Sequence, residues 1–89
     1  MTKTSSLMFA ENKKVLAIIY ELSTIDAFNV KLLTEVQDGL DSASLFFHPV
    51  LWSEDIENIT KNIADLLDCK QTLYVYDEFR QRVIVTFNK

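Results

Sequence analysis

The fold class is indicated by two neighbouring stretches, SEDIENITKNIADLL at residues 53–67 and TLYVYDEFRQRVIVTF at residues 72–87. In the first stretch, isoleucine and leucine recur at intervals of three and four, which predicts an amphipathic helix with one buried stripe. The stripe consists of Ile56, Ile59, Ile63, Leu66 and Leu67. Ser53 is placed to cap the first turn, where the helix dipole favours the acidic residues that follow it.

The second stretch predicts a C-terminal β-hairpin. Both of its halves are dense in β-branched and aromatic residues, and the segment 77–81, in which four of the five residues are polar, separates them. Alternation of side chains predicts one face that meets the helix, made of Leu73, Val75, Val83, Val85 and Phe87. The opposite, outward face is expected to carry Tyr74, Tyr76, Ile84 and the stem of Arg82.

The beginning of the chain is predicted from weaker patterns. Residues 11–22 carry apolar residues at helical spacing and are rich in good helix formers, so a helix is favoured there. A hairpin over residues 7–22 is the alternative, since periodicity does not separate helix from strand in apolar runs this short.

The middle of the chain is predicted to contain a second helix over residues 26–38. Asp26 is suited to cap it, apolar residues recur at intervals of three, and Gly39 is suited to end it. A strand that starts near residue 28 is the alternative, because residues 28–32 also alternate in polarity. A short strand over residues 44–47 is predicted to follow and to end before Pro49, which cannot donate a ladder hydrogen bond.

These elements predict an α+β fold, a small two-layer domain in which helices pack on a small antiparallel sheet with a C-terminal β-hairpin. The chain has 89 residues, 48% of them hydrophobic, with one glycine and one proline, as is typical of a sequence that buries a core. This length predicts a single domain over residues 1–89. Residues 1–6, which are polar apart from Met1, are expected to form a disordered tail.

Charge and cysteine content limit the cellular compartment and the classes of partner that are expected. Thirteen acidic and nine basic residues give a net charge of −4, which disfavours binding to phosphate backbones. The single Cys69 cannot form an intramolecular disulfide, and no apolar run is long enough to cross a membrane. We therefore expect a cytoplasmic protein that does not bind membranes and for which nucleic acid is a disfavoured partner.

No residue pattern predicts catalysis, a metal site or a cofactor. One histidine, His48, and one cysteine, Cys69, cannot supply a zinc ligand set, and a nucleophilic pair of the two has no recognisable catalytic context. The lone Gly39 does not make a phosphate-binding loop. The expectation is a protein that is not an enzyme and that binds no cofactor and no metal.

The aromatic content points to binding instead. Trp52, Phe46 and Phe47 are expected to close the core beside the helix. The outward hairpin face is expected to present interface anchors, because tyrosine and arginine are enriched in such anchors. The candidate partner-binding residues are Tyr74, Tyr76, Arg80, Arg82 and Ile84.

Three functions are compatible with these patterns. The favoured one is a small regulatory or inhibitory protein-binding domain, such as an adaptor, an immunity protein or a phage-type modulator. The predicted order of helix, helix, strand, helix and hairpin also resembles the winged-helix fold, with residues 76–86 as the wing. This resemblance implies a nucleic-acid-binding regulator. The helix of residues 53–67 departs from that pattern, because it opens with acidic residues and has Lys61 as its only cation. The third function is a structural subunit of a homo-oligomer, for which a homodimer is the expected assembly.

Overall fold

The structure, a computed structural model, describes residues 7–89, which form two α-helices and six β-strands. The helices are α1 (Lys13–Ser23) and α2 (Glu54–Leu67). The strands are β1 (Asp26–Ala27), β2 (Val30–Lys31), β3 (Leu33–Gln37), β4 (Ser42–Phe47), β5 (Gln71–Asp77) and β6 (Arg82–Asn88). A 3₁₀ turn, Pro49–Leu51, connects β4 to α2. The tail predicted for residues 1–6 lies outside the described residues.

The fold is α+β, as predicted, with a four-stranded antiparallel sheet in the order β3, β4, β6, β5. Both helices pack on one face of this sheet, which we call the inner face. The core between the two layers includes Val15, Leu22, Ile63, Phe47 and Phe87, each no more than 2% exposed. The outer face of the sheet carries no helix among the described residues.

Helix α2 confirms the prediction made from residues 53–67. The Ser53 hydroxyl accepts a hydrogen bond from the Ile56 backbone N–H at 3.3 Å, which caps the first turn. Ile56 and Ile63 are buried, and the other stripe residues, Ile59, Leu66 and Leu67, are partly buried against the same core. The helix ends at Asp68, which has a left-handed conformation with φ of 55°.

Helix α1 confirms the helix favoured for residues 11–22, so the alternative hairpin is wrong. The Asn12 carboxamide oxygen caps the helix by accepting from the backbone N–H groups of Lys14 and Val15. The Asn12 amide group also donates to the Leu66 carbonyl oxygen at 3.1 Å. One side chain therefore starts α1 and ties it to the last turn of α2.

The helix predicted for residues 26–38 is wrong, because this segment forms three strands. Phe28 and Asn29 both have positive φ, 56° and 61°, and make the two-residue turn between β1 and β2. Leu32, which lies off the predicted helical stripe, is fully buried, and its carbonyl oxygen accepts from the His48 backbone N–H at 2.8 Å. The element order therefore differs from the helix, helix, strand, helix and hairpin on which the winged-helix resemblance rests.

Gly39 was predicted to end a helix, and this prediction is wrong. The residue lies in the connection between β3 and β4. A Cβ atom at this position would clash with the backbone carbonyl oxygen of Ser42. The neighbouring Asp38 carboxylate accepts from the backbone N–H groups of Phe9 and Ala10, at 2.8 and 3.0 Å. The connection is therefore tight and holds the segment before α1 against the sheet.

We expect the Gly39→Ala variant to be destabilised by about 1–3 kcal/mol, because backbone atoms must move to admit the methyl group. For a domain of this size each kcal/mol lowers the melting temperature by roughly 4–8 °C. Thermal unfolding followed by circular dichroism measures the effect. The control is Asp41→Ala in the same connection, where an exposed side chain is removed. Equal melting temperatures for the two variants would contradict the close approach at Gly39.

The hairpin of β5 and β6 is confirmed, but the predicted assignment of its faces is wrong. Asp77 pairs with Arg82, so four residues connect the strands instead of the five that the prediction assumed. Tyr74 therefore pairs with Val85 and Tyr76 with Val83, which places both tyrosines on the inner face. Leu73 and Val75 lie on the outer face with Ile84 and Arg82. A shift of one residue in register moves every side chain of a strand to the other face.

Candidate protein-binding surface

Strand β5 lies at an edge of the sheet and is the most exposed apolar strand in the structure. It pairs with β6 on one side and with no other strand of residues 7–89 on its second side. Four consecutive residues remain well exposed: Leu73 at 43%, Tyr74 at 37%, Val75 at 53% and Tyr76 at 52%. Both faces of this edge strand are therefore apolar and accessible.

The edge at β5 lacks the features by which proteins usually protect sheet edges. Protected edge strands carry lysine, proline or a β-bulge, which prevent pairing with another strand. β5 has no lysine, no proline and no charged residue before Asp77. The opposite edge, β3, has Glu35 and an irregular register between Leu33 and Glu35. The two edges of one sheet thus differ in their capacity to accept a further strand.

On the inner face, a groove runs between β5 and the start of α2. It is lined by Trp52, Glu57, Tyr74, Val75, Tyr76 and Val83, and its volume is about 400 Å³. We call this the aromatic groove. It brings together side chains from three parts of the chain: the residue before the cap of α2, the first turn of α2, and the hairpin.

Tyr74 is fixed in the groove by hydrogen bonds. The Thr60 hydroxyl donates to the Glu57 carbonyl oxygen at 2.6 Å, which uses its only proton. The Tyr74 hydroxyl lies 2.8 Å from the Thr60 oxygen, so Tyr74 donates this bond and Thr60 accepts it. Thr60 is fully buried, and the bond satisfies its hydroxyl oxygen. The hydroxyl of Tyr74 therefore has a structural role, while 37% of the residue remains exposed in the groove.

Trp52 connects the groove to the core. Its ring meets the buried ring of Phe47 edge-on, with centroids 5.2 Å apart, and meets the ring of Tyr74 at 6.2 Å. Edge-to-face packing of this kind fixes ring orientation and adds about 0.5–1.5 kcal/mol beyond area burial. The aromatic groove is therefore built on a rigid support, except at Tyr76, whose ring contacts no other ring of residues 7–89.

On the outer face, Arg82 is engaged with its neighbours. Its guanidinium carbon lies 4.2 Å above the centre of the Phe46 ring, so that Phe46 is only 5% exposed. Its nitrogens also lie 3.2 Å from a carboxylate oxygen of Glu35 and 3.4 Å from one of Asp77. Phe46 thus lies under Arg82 and not beside the helix, contrary to the prediction.

The turn between β5 and β6 is organised by Asp77. Its carboxylate accepts from the backbone N–H groups of Phe79 and Arg80, at 3.1 and 3.2 Å. The pKa of the Asp77 carboxyl is below its ordinary value, mainly because the Arg80 backbone N–H donates a hydrogen bond to the carboxylate. The Arg80 side chain is 66% exposed and lies 3.6 Å from Asp77. Arg80 therefore projects from the turn, beyond the end of the strands.

The five predicted site residues do not form one surface. The structure places Tyr74 and Tyr76 in the aromatic groove, Arg82 and Ile84 on the outer face, and Arg80 at the turn. Glu57 was not among the predicted site residues, and Trp52, which was expected to close the core, both packs against the core and lines the groove. The prediction also placed Leu73 and Val75 on the helix side. The faces depend on the number of residues that connect the strands, which is four in the structure and five in the prediction.

His48 and Cys69 have structural surroundings. The His48 Nδ1 atom accepts from the Val50 backbone N–H at 3.2 Å and caps the 3₁₀ turn. Burial, and next the neighbouring Asp68 carboxylate, raise the pKa of the Cys69 thiol, the opposite of the shift that activates a nucleophile. Within residues 7–89 there is no group of three or more His, Cys, Asp or Glu side chains arranged to hold a metal ion.

Neither α1 nor α2, the two helices of the described chain, is long and apolar enough to cross a membrane. Comparison with protein-family models, with curated proteins and with solved structures finds no match.

Proposed function

We propose that this chain is a small, non-enzymatic regulatory domain of the cytoplasm that binds another protein along β5. The observation that carries the proposal is the combination of an unprotected sheet edge with four exposed apolar side chains on one strand. The bound element is an extended segment of the partner, which adds to the sheet beside β5. Main-chain hydrogen bonds then supply affinity, and side chains on alternate positions supply specificity.

The test is the double variant Leu73→Lys/Val75→Lys, which places two lysines on the outer face of β5. Both positions are exposed, so the fold is retained, whereas edge lysines oppose the addition of a strand. The parent and the variant are used to capture proteins from an extract of the native host. Each captured protein is then purified and titrated against both chains. We expect the affinity to fall by at least about tenfold, as for the loss of an interface anchor.

The matched control is Val36→Lys/Leu40→Lys, which adds the same two charges in the opposite edge strand, β3, and in the connection that follows it. Val36 and Leu40 are 42% and 50% exposed, close to the exposure of the tested pair. The control should bind the partner as the parent does. If both double variants lose binding equally, the effect is one of net charge, and the proposal for β5 is wrong.

A second function is favoured by the same edge, namely a structural subunit that forms a homodimer. Two copies of β5 can pair with each other as readily as with a foreign segment, because the exposed groups are backbone N–H and carbonyl groups. Light scattering distinguishes the two functions without a partner. A dimeric parent that Leu73→Lys/Val75→Lys converts to a monomer supports the homodimer.

A further inference from the structure

We infer that the aromatic groove binds a lysine or arginine side chain of the segment that pairs with β5, an inference that rests on the proposed function. Three aromatic rings, those of Trp52, Tyr74 and Tyr76, line the groove. The faces of such rings carry negative electrostatic potential and attract cations, and tryptophan does so most strongly. The groove thus has the walls of a site for a cationic group.

Glu57 supplies the negative charge that such a site needs. It lines the groove, and its carboxylate lies 3.4 Å from the Nζ atom of Lys61 one turn along α2. The two side chains are 39% and 60% exposed, and exposed pairs of this kind contribute little to stability. A cation from a partner can therefore replace Lys61 beside Glu57 with little loss of free energy.

The surroundings favour a cation over an anion. The start of α2 lies beside the groove, and the positive end of a helix dipole would by itself attract anions. Glu54, Asp55 and Glu57 occupy the first turn and offset that charge. The net charge of the chain is −4, which also attracts a basic partner.

The position and size of the groove suit one side chain of an added strand. Tyr74 and Tyr76 are two residues apart on the same face of β5, so alternate residues of a paired strand project towards the groove. The groove is open to solvent, and its volume of about 400 Å³ is large enough to admit one long side chain. A long side chain on an added strand can therefore reach the groove between Tyr74 and Tyr76.

Trp52 makes the inference testable without the partner, because it is the only tryptophan of the chain. Its indole N–H gives one resonance in a ¹⁵N-correlated NMR spectrum of the full chain. Nα-acetyl-arginine amide is titrated against this resonance, and the neutral isostere Nα-acetyl-citrulline amide is titrated in parallel. We expect a saturable shift with the arginine compound, and a dissociation constant at least twofold lower than that of the citrulline compound.

The variants Glu57→Gln and Tyr76→Leu should each weaken binding of the arginine compound by about two- to fivefold. Glu54→Gln is the matched control, since it removes the same charge from the same turn but at a residue that does not line the groove; it should leave the affinity within twofold of the parent. Equal affinities for arginine and citrulline, no saturable shift, or equal losses in Glu54→Gln and Glu57→Gln would each overturn the inference.

Failure of this inference and failure of the proposed function give different results. If the arginine compound fails to bind but Leu73→Lys/Val75→Lys still abolishes partner capture, β5 is the binding site and the groove inference is wrong. If the arginine compound binds but that variant captures the partner normally, the groove accepts cations while the proposed strand addition is wrong.

Discussion

The Ile63→Asp variant is expected to be unfolded at room temperature. Ile63 is fully buried in α2, where it contacts the core between the helices and the sheet. An aspartate there either buries an unpaired charge or forces the helix off the sheet, and it also removes apolar contacts. A domain of this size has a free energy of unfolding near the low end of the 5–15 kcal/mol range, so one such change exceeds its reserve. Loss of the helical circular dichroism signal and of a cooperative thermal transition measures the effect.

The matched control is Asn62→Asp, which introduces the same charge at the preceding position of α2. Asn62 is exposed, and substitutions at such sites change stability by about 0.5 kcal/mol or less. If Ile63→Asp melted at the temperature of the control, α2 would not bury the face that the structure shows.

The Phe47→Ala variant is expected to lose about 3–5 kcal/mol of stability, because it leaves a cavity in the core. Phe47 is fully buried at the end of β4, and its ring supports that of Trp52. Denaturant titration followed by Trp52 fluorescence reports both effects. We expect a lower transition midpoint and a change in the emission of the native state, since Trp52 loses its neighbour.

Phe79→Ala is the control for Phe47→Ala, because it makes the same truncation at the hairpin turn. The Phe79 side chain is 94% exposed, so its removal should change stability by about 0.5 kcal/mol or less. Similar losses in both variants would show that burial does not distinguish these two phenylalanines.

Helix α2 and the C-terminal hairpin could be predicted because their signals are local. A stripe with helical spacing, a serine cap and a dense run of β-branched residues each act within one segment. Helix α1 was favoured on similar grounds. The fold class followed from these elements, since a helix with one apolar face and strands of this composition must bury their apolar surfaces against each other.

The segment 26–38 could not be assigned in this way, because its helical and extended patterns are both short and compete. The decision depends on contacts made elsewhere in the chain. Leu32 is buried by the rest of the fold, and its carbonyl oxygen is bonded to the N–H of His48, sixteen residues away. No pattern within the segment contains that information.

The sequence by itself determined that this chain forms an α+β domain with α2 and a C-terminal hairpin, and that tyrosines near its end were candidates for binding. Only the tertiary structure decided which face each of those residues occupies. The hairpin connection has four residues and not five, and this single residue moves Tyr74 and Tyr76 to the helix side, beside Trp52 and Glu57. The physical reason is that strand side chains alternate with a period of two, so a face depends on register. Register depends on pairing with a neighbouring strand, which the composition of one strand does not specify.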